Sequence, residues 1–569
     1  MRRTGTWAVV LAAATAVAGW ASDAHAQRAK NVILMISDGA GPTTWLAANQ
    51  WQFGPDAGTA PQFKQRYEGP GFTQHWMTTF PAHSQPLPPG EVDVRLGLPA
   101  GSLPRYLPRL YNEIPFPNAG SYDPVRANDA ALGNVHIFTD RTRSLYPGRG
   151  TPYTLTPVPT NPSTVRLLAN QLQAGGQITV NRQTAPLAYD YLIWDSVTDS
   201  ASAGTALASG RKTYSSAINY VDTGTSLEPV PFITQQMRQM GKKAGVVTTK
   251  PFTDATPAVF GTQNLYRDNE LAISHDMIHN GLLDVIISPG HPEFGSGGVP
   301  RTPSYTTVSE ANLQALRAGV GGWTFVDDNT VLRGIAQGTV PAPDRLFGLV
   351  PVSSALNSRN TAGQTNAYDP RVHTPGNVPA GVVPFVMPDL PELASAALNV
   401  LSRSDNGFFV MIEGASVDSA AHANNLPQLI EEHLAFNRAV DRVIDWVETH
   451  SSWDETLLII TSDHGNGLFL GPDSATIAFQ DPIPTAAGQL PQGIWWTTNH
   501  TNELVPLWTR GPGSELFGQL FDGIDPRRGQ YIDNTDVFTV MSQAVPEPAA
   551  VAPVLAGAAS LLGRRRSAA

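Results

Sequence analysis

The residues with most chemistry to offer stand where short apolar runs stop. Asp38 closes the run 32–37, Glu413 closes 408–412, and the pair Asp463-His464 closes 457–462. Asp254 and Thr256 follow 244–249 after a short loop. Apolar, β-branched runs of this length predict buried strands, and in an open α/β sheet ligands bind in the crevice outside the carboxyl ends of the strands. One such acid alone reads as a helix N-cap after a strand. Four strands that deliver acids, a hydroxyl and an imidazole to one edge predict a site.

Two local patterns sharpen this. In the stretch 413–422, Glu-Gly-Ala-Ser-Val-Asp-Ser-Ala-Ala-His, a helix after Ser416 sets Asp418 and His422 at i and i+4 on one face. A carboxylate and an imidazole one turn apart can share one Zn²⁺ ion, which takes nitrogen and oxygen ligands in tetrahedral geometry. In 197–206, Val-Thr-Asp-Ser-Ala-Ser-Ala-Gly-Thr-Ala, Asp199 or Ser200 begins a helix of very small residues that ends near Gly210. Its free N–H groups and dipole favour an anion, and a serine placed there has its alkoxide stabilised. It still needs an activator. No G-x-S-x-G elbow surrounds Ser200, so a metal is the better candidate. The 569 residues include no cysteine, which leaves carboxylate, imidazole and hydroxyl groups to hold it.

In order along 31–512, these segments resemble the alkaline phosphatase family, and more closely its bacterial dimetal members. The stretch 31–41 resembles the family's opening strand with its bridging aspartate. Residues 197–205 are similar to the nucleophile signature, with Ser200 in the phosphorylated position. Residues 254–258 resemble the segment with the magnesium-binding threonine, and Arg267 stands at the interval of the phosphate-clamping arginine. The stretches 413–422, 463–464 and 498–501 complete the set.

The resemblance implies one zinc on Asp418, His422 and His500, a second on Asp38, Asp463, His464 and, during turnover, Ser200, and a magnesium on Asp38, Thr256 and Glu413. The imidazole-containing sets suit zinc and the carboxylate–hydroxyl set suits a hard cation. It also implies a phosphoserine at Ser200, Arg267 gripping two non-bridging phosphate oxygens as a fork, and Asp199 and Asp254 in support. Phosphate monoesters and inorganic phosphate would be its small-molecule partners, and a homodimer is consistent with the family. Ser419 departs from members that carry lysine or histidine immediately after the zinc-binding aspartate. Asp254 is therefore expected to lack a cationic neighbour.

The elements that must position these residues are strands at 32–36, 244–248, 282–287, 408–412 and 457–461, with helices at 393–403 and 427–449. In the longer helix Leu429, His433, Phe436, Val440, Val443 and Val447 form one stripe, so His433 is expected in the core. The pattern predicts an α/β, alkaline-phosphatase-like three-layer sandwich with a mostly parallel central sheet. Residues about 54–188, rich in proline, glycine and aromatics, read as an inserted cap, and 295–377 as a second irregular region.

The ends read as addresses. Arg2 and Arg3, the apolar run 7–18 and Ala24-His25-Ala26 form a signal peptide over 1–26, so the catalytic domain would span 27–543. Val545-Pro546-Glu547-Pro548, the apolar run 549–562 and Arg564-Arg565-Arg566 resemble a PEP-CTERM sorting tail over 544–569, processed by an exosortase. Export to the periplasm, the cell surface or the medium follows. The net charge of −11 argues against nucleic acid as a partner. Two other readings compete: a phosphodiesterase of the same superfamily, and a non-catalytic secreted surface or matrix binding protein.

Overall fold

The structure is a computed structural model that describes residues 28–82, 122, 124–128, 189–194, 196–223, 226–356, 365–373 and 387–545. Eleven strands among them form one sheet: β1 (Asn31–Ser37), β2 (Thr73–Thr78), β3 (Lys243–Thr248), β4 (Val285–Ser288), β5 (Thr324–Val326), β6 (Leu346–Leu349), β7 (Phe408–Gly414), β8 (Thr456–Thr461), β9 (Val505–Arg510), β10 (Gly523–Asp525) and β11 (Gly529–Asp533). Their spatial order is β10-β11-β2-β9-β8-β1-β7-β3-β4-β6-β5. The seven from β8 to β5 are mutually parallel, and β9 lies antiparallel between β8 and β2.

Alternation along the central strands divides the core into two layers. Val32, Leu34, Ile36, Val246, Met411 and Ile459 pack on one face. Ile33, Met35, Val247, Val410, Ile412 and Ile460 pack on the other. Each fully buried aliphatic side chain contributes about 1.5–3 kcal/mol, so both faces must be covered. On the first face lie α2 (Ser200–Ser209), through Ala201 and Leu207, and α7 (Thr535–Ala544), through Val537 and Met541. On the second lie α4 (Leu390–Leu401), α5 (Ser416–His422) and α6 (Leu426–His450). This is the expected three-layer α/β sandwich.

Helix α6 buries the whole predicted stripe from Leu429 to Val447, and Asn425 caps it by accepting from the Gln428 backbone N–H. His433 lies in the core with Nδ1 3.0 Å from Ser37 Oγ, and burial pushes its pKa down to about 3. It is therefore neutral, and it pins the residue just before Asp38.

Two expectations need correction. Thr73–Thr78, inside the span read as an inserted cap, pairs with β9 and β11 in the main sheet. Its polar and aromatic residues hid a strand that is exposed at one end and buried only at the other. The region read as irregular holds the helices Glu310–Arg317 and Asn329–Ala336 and the edge strands β5 and β6, too short to give a clear period. The predicted signal peptide, most of the cap and residues 546–569 lie outside the described residues, whereas Ala544 and Val545 pack into the core. Among the described residues no helix is long and apolar enough to cross a membrane.

Candidate active site

Asp38, Glu413 and the pair Asp463-His464 emerge from the carboxyl ends of the adjacent strands β1, β7 and β8. Gly39 turns the chain after β1 at φ +69°, and its N–H donates to Asp463 Oδ1 at 3.1 Å. Asp38, Glu413, Asp463 and His464 are wholly buried. The short strand pair Gly465–Asn466 and His500–Thr501 carries His500 back beside this edge, so the His464 and His500 rings stack with centroids 3.6 Å apart.

Helix α5 sets Asp418 and His422 on one face, as the i and i+4 spacing requires. Asp418 Oδ1 lies 3.4 Å from His422 Nε2 and 3.3 Å from His500 Nε2, and the two Nε2 atoms are 3.1 Å apart. His422 Nδ1 sits 2.6 Å from the Thr498 carbonyl and His500 Nδ1 2.8 Å from that of Thr198. A carbonyl only accepts, so each Nδ1 carries a proton, and each Nε2 offers a lone pair whenever its ring is neutral. Two imidazole nitrogens and a carboxylate oxygen converging at this distance could hold a cation between them. Ligand atoms of Asp38, Asp418 and His464 likewise come within 4.8 Å of one another.

The oxygens of the acids at the strand ends, with that of Thr256, form a second distinctive group. Both oxygens of Asp38, Asp463 Oδ2, Thr256 Oγ1 and Glu413 Oε1 are buried without a hydrogen-bond partner. Unsatisfied buried oxygens are costly, and a set of carboxylates and a hydroxyl suits hard cations. Glu413 Oε2 is fixed by Thr248, which donates from 2.6 Å. The titration shifts tell the same story. Burial, then repulsion from Asp463 and Asp418, raises the Asp38 carboxyl well above its usual range. Burial and Asp254 push Glu413 up to about 8, and burial pushes Asp463 up to about 6. Burial works against ionisation of Asp418 too, but Lys250 and His500 hold its carboxyl well below the ordinary value.

Ser200 opens α2 and is buried, with Oγ 3.2 Å from His464 Nε2. Asp199 caps the helix: Oδ1 accepts from the Ser202 N–H at 3.1 Å and Oδ2 from the Ser216 N–H at 3.0 Å. Arg267 spans two acids, with Nη1 3.2 Å from Asp199 Oδ2 and Nη2 3.0 Å from Asp254 Oδ1. Asp254 precedes the short helix Ala255–Ala258 that carries Thr256. The candidate residues expected from the sequence thus gather at one sheet edge, with Thr256 on the short helix that follows Asp254.

Residues 166–490, more than half of the chain, match the sequence model of the family described as Alkaline phosphatase. The chain belongs to the alkaline phosphatase family. It is an enzyme of that family. It is 26% identical over 389 residues, 58% of this chain and 75% of the relative, to Alkaline phosphatase 4 of Bacillus subtilis (strain 168). It is 29% identical over 388 residues, 61% of this chain and 78% of the relative, to Streptomycin-6-phosphate phosphatase of Streptomyces griseus. The cold-active alkaline phosphatase of the psychrophile Shewanella sp. superposes with a TM-score of 0.53 at 19% identity, over 91% of this chain and all of that one, and shares its fold.

One expectation fails against this geometry. Asp254 does not lack a cationic neighbour, because Lys250 Nζ lies 3.6 Å from its Oδ2 and Arg267 bonds its Oδ1. The position beside Asp418 in the chain is Ser419, which has no charge, whereas the fold brings Lys250 in from the end of β3. Lys250 closes an apolar run just as the acids do, but in the sequence alone a lysine there reads equally as a solvated charge. Asn466, which donates to Asp418 Oδ1 at 2.7 Å, had no comparable signal.

Proposed function

We propose that this chain is an exported, metal-dependent phosphomonoesterase that works through a phosphoserine at Ser200. The observation that carries the reading is the Ser200 hydroxyl at a helix N-terminus, 3.2 Å from His464 Nε2, beside two groups of converging ligand atoms. Asp418, His422 and His500 would hold one zinc. Asp38, Asp463 and His464 would hold the second, and Asp38, Thr256 and Glu413 a magnesium. When bound, such ions supply Lewis-acid charge for the attacking and leaving oxygens of an in-line displacement.

The chain's own residues do the rest. The N–H groups at the start of α2 face an incoming anion, and Asp199 and Asp254 hold the Arg267 guanidinium with both terminal nitrogens fixed, ready for bidentate phosphate contact. Ser200 Oγ forms the bond to phosphorus as the ester P–O bond breaks, and the alcohol leaves with a proton. Water then attacks the phosphoserine, releases inorganic phosphate and regenerates the hydroxyl. Asp418, at the centre of the first ligand set, is held ionised, as a metal-binding carboxylate must be.

In the same reading 1–26 directs export, the part of 544–569 beyond Val545 is a sorting tail of PEP-CTERM type removed by an exosortase, the remainder of 54–188 caps the site, and the enzyme is a homodimer. Labelling with radioactive inorganic phosphate at acidic pH, followed by acid quench and peptide mapping, tests the nucleophile. Label on Ser200, lost in Ser200→Ala, is the expected outcome. Undiminished phosphoserine in Ser200→Ala would remove the assignment.

A further inference from the structure

Lys250 stands two residues beyond β3, where its ammonium lies 3.2 Å from Asp418 Oδ2, 3.6 Å from Asp254 Oδ2 and 3.9 Å from Asp38 Oδ2. The side chain is 18% exposed, so the ammonium is largely withdrawn from water and paired with acids instead. Its backbone is fixed as well, because the Lys250 N–H donates to Thr248 Oγ1, the same hydroxyl that donates to Glu413.

The arrangement does more than balance charge. Asp254 holds Lys250 against one oxygen and Arg267 against the other, so a single carboxylate aligns an ammonium and a guanidinium on its opposite edges. Arg267 in turn reaches Asp199, the cap of the helix that Ser200 begins. Six carboxylates converge here: Asp38, Asp199, Asp254, Glu413, Asp418 and Asp463. Among the described residues, the lysine and arginine side chains that touch them are Lys250 and Arg267. Of the three Lys250 contacts only that to Asp418 is within hydrogen-bond reach, which leaves N–H donors for a further acceptor. A metal ion on Asp418 would draw on that same carboxylate and loosen even this hold.

We propose that Lys250 is a substrate-binding residue of this centre, its ammonium gripping the phosphate group together with Arg267 and favouring the dianion of a monoester over a monoanionic diester. The proposal rests on the phosphomonoesterase reading and adds the residue that sets its charge selectivity. A diester offers one charged oxygen fewer, so the second cation counts chiefly for the monoester and for inorganic phosphate.

The test uses the full chain loaded with Zn²⁺ and Mg²⁺, with calorimetric titration of inorganic phosphate, zinc content by elemental analysis, and kcat and KM for para-nitrophenyl phosphate and its bis-ester. Lys250→Ala should weaken phosphate binding about tenfold or more, the weight of a charge-assisted hydrogen bond, and raise KM for the monoester more than it lowers kcat. The bis-ester should be little affected, Lys250→Arg should recover most of the phosphate affinity, and zinc content should stay unchanged. Lys250→Met, which keeps the stem and removes the charge, is read in the same way if the alanine variant fails to fold. Phosphate affinity within about twofold of the parent would overturn the proposal. So would loss of zinc together with phosphate, because Lys250 would then only hold the ligands in place. A parent chain that binds zinc but neither phosphate nor monoester would overturn the phosphomonoesterase reading itself.

Discussion

The hydroxyl of Ser200 and Nε2 of His464 are 3.2 Å apart, although 264 positions separate them in the chain. The distance would suit a serine and its general base, but the surroundings of the ring do not. His464 Nδ1 lies 3.3 Å from the backbone carbonyl of Gly465, whereas in a hydrolase triad that proton would go to a buried acid. The acids are on the other side: Asp463 Oδ2 is 3.2 Å and Asp38 Oδ1 3.5 Å from the same Nε2 that faces Ser200. A lone pair, two carboxylates and a hydroxyl meeting at one point suit a cation, which is the proposed second zinc position beside the proposed nucleophile. Burial and the neighbouring His500 keep the ring well below its usual pKa, so it stays unprotonated, as a metal-binding imidazole must be.

Gly39→Ala should damage the centre without touching a ligand. A β-carbon there would lie 2.9 Å from both Cα and Oδ1 of Asp418, on a backbone at φ +69°. Backbone strain of this kind costs about 1–3 kcal/mol, and Asp418 must shift to relieve it. Thermal unfolding and zinc titration should show lower stability and weaker zinc binding. Parent values for both would show that the close approach does not matter.

Arg267→Lys should separate charge from geometry. Lysine keeps the positive charge but cannot reach Asp199 and Asp254 at once, as the guanidinium does at 3.2 and 3.0 Å. Inhibition by inorganic phosphate should weaken by about tenfold with zinc content unchanged. Parent-like inhibition would mean that the fork is not used on phosphate.

Metal-free protein should lose stability as pH rises from about 6.5 to about 8. Glu413, pushed up to about 8, keeps its proton in the fold while the unfolded chain, near the ordinary 4.5, has released it. The raised Asp38 and His500 act in the same direction. A group whose folded pKa is raised stabilises the fold below the unfolded value and loses that contribution as pH climbs to the folded one, at about 1.4 kcal/mol per pH unit for each proton. Asp199, Asp254 and Asp418, all lowered, titrate below this window. Melting curves after chelation should therefore fall across it, and those of the zinc- and magnesium-loaded protein should not. Parallel curves would show that these acids are not a cation site.

Much of the site was legible because its acids lie at strand ends, and the strands announce themselves as runs of Val, Ile and Leu buried on both faces. The helix Leu426–His450 was found to within one residue at each end because its stripe repeats over its full length. The sheet order and the antiparallel strand β9 could not be read, since pairing depends on residues far apart in sequence. β2 escaped because Gln74, His75 and Trp76 do not form a buried apolar run. Lys250 escaped because a lone lysine after a strand reads as a solvated charge until Asp418 and Asp254 are brought around it by β7 and β3.

The central claim is tested most directly by hydrolysis of para-nitrophenyl phosphate against its bis-ester at alkaline pH, before and after chelation, with Zn²⁺ and Mg²⁺ restored separately. The account predicts strong monoesterase activity that disappears with the metals and returns fully only with both. Preference for the bis-ester, or monoesterase activity indifferent to chelation, would contradict it.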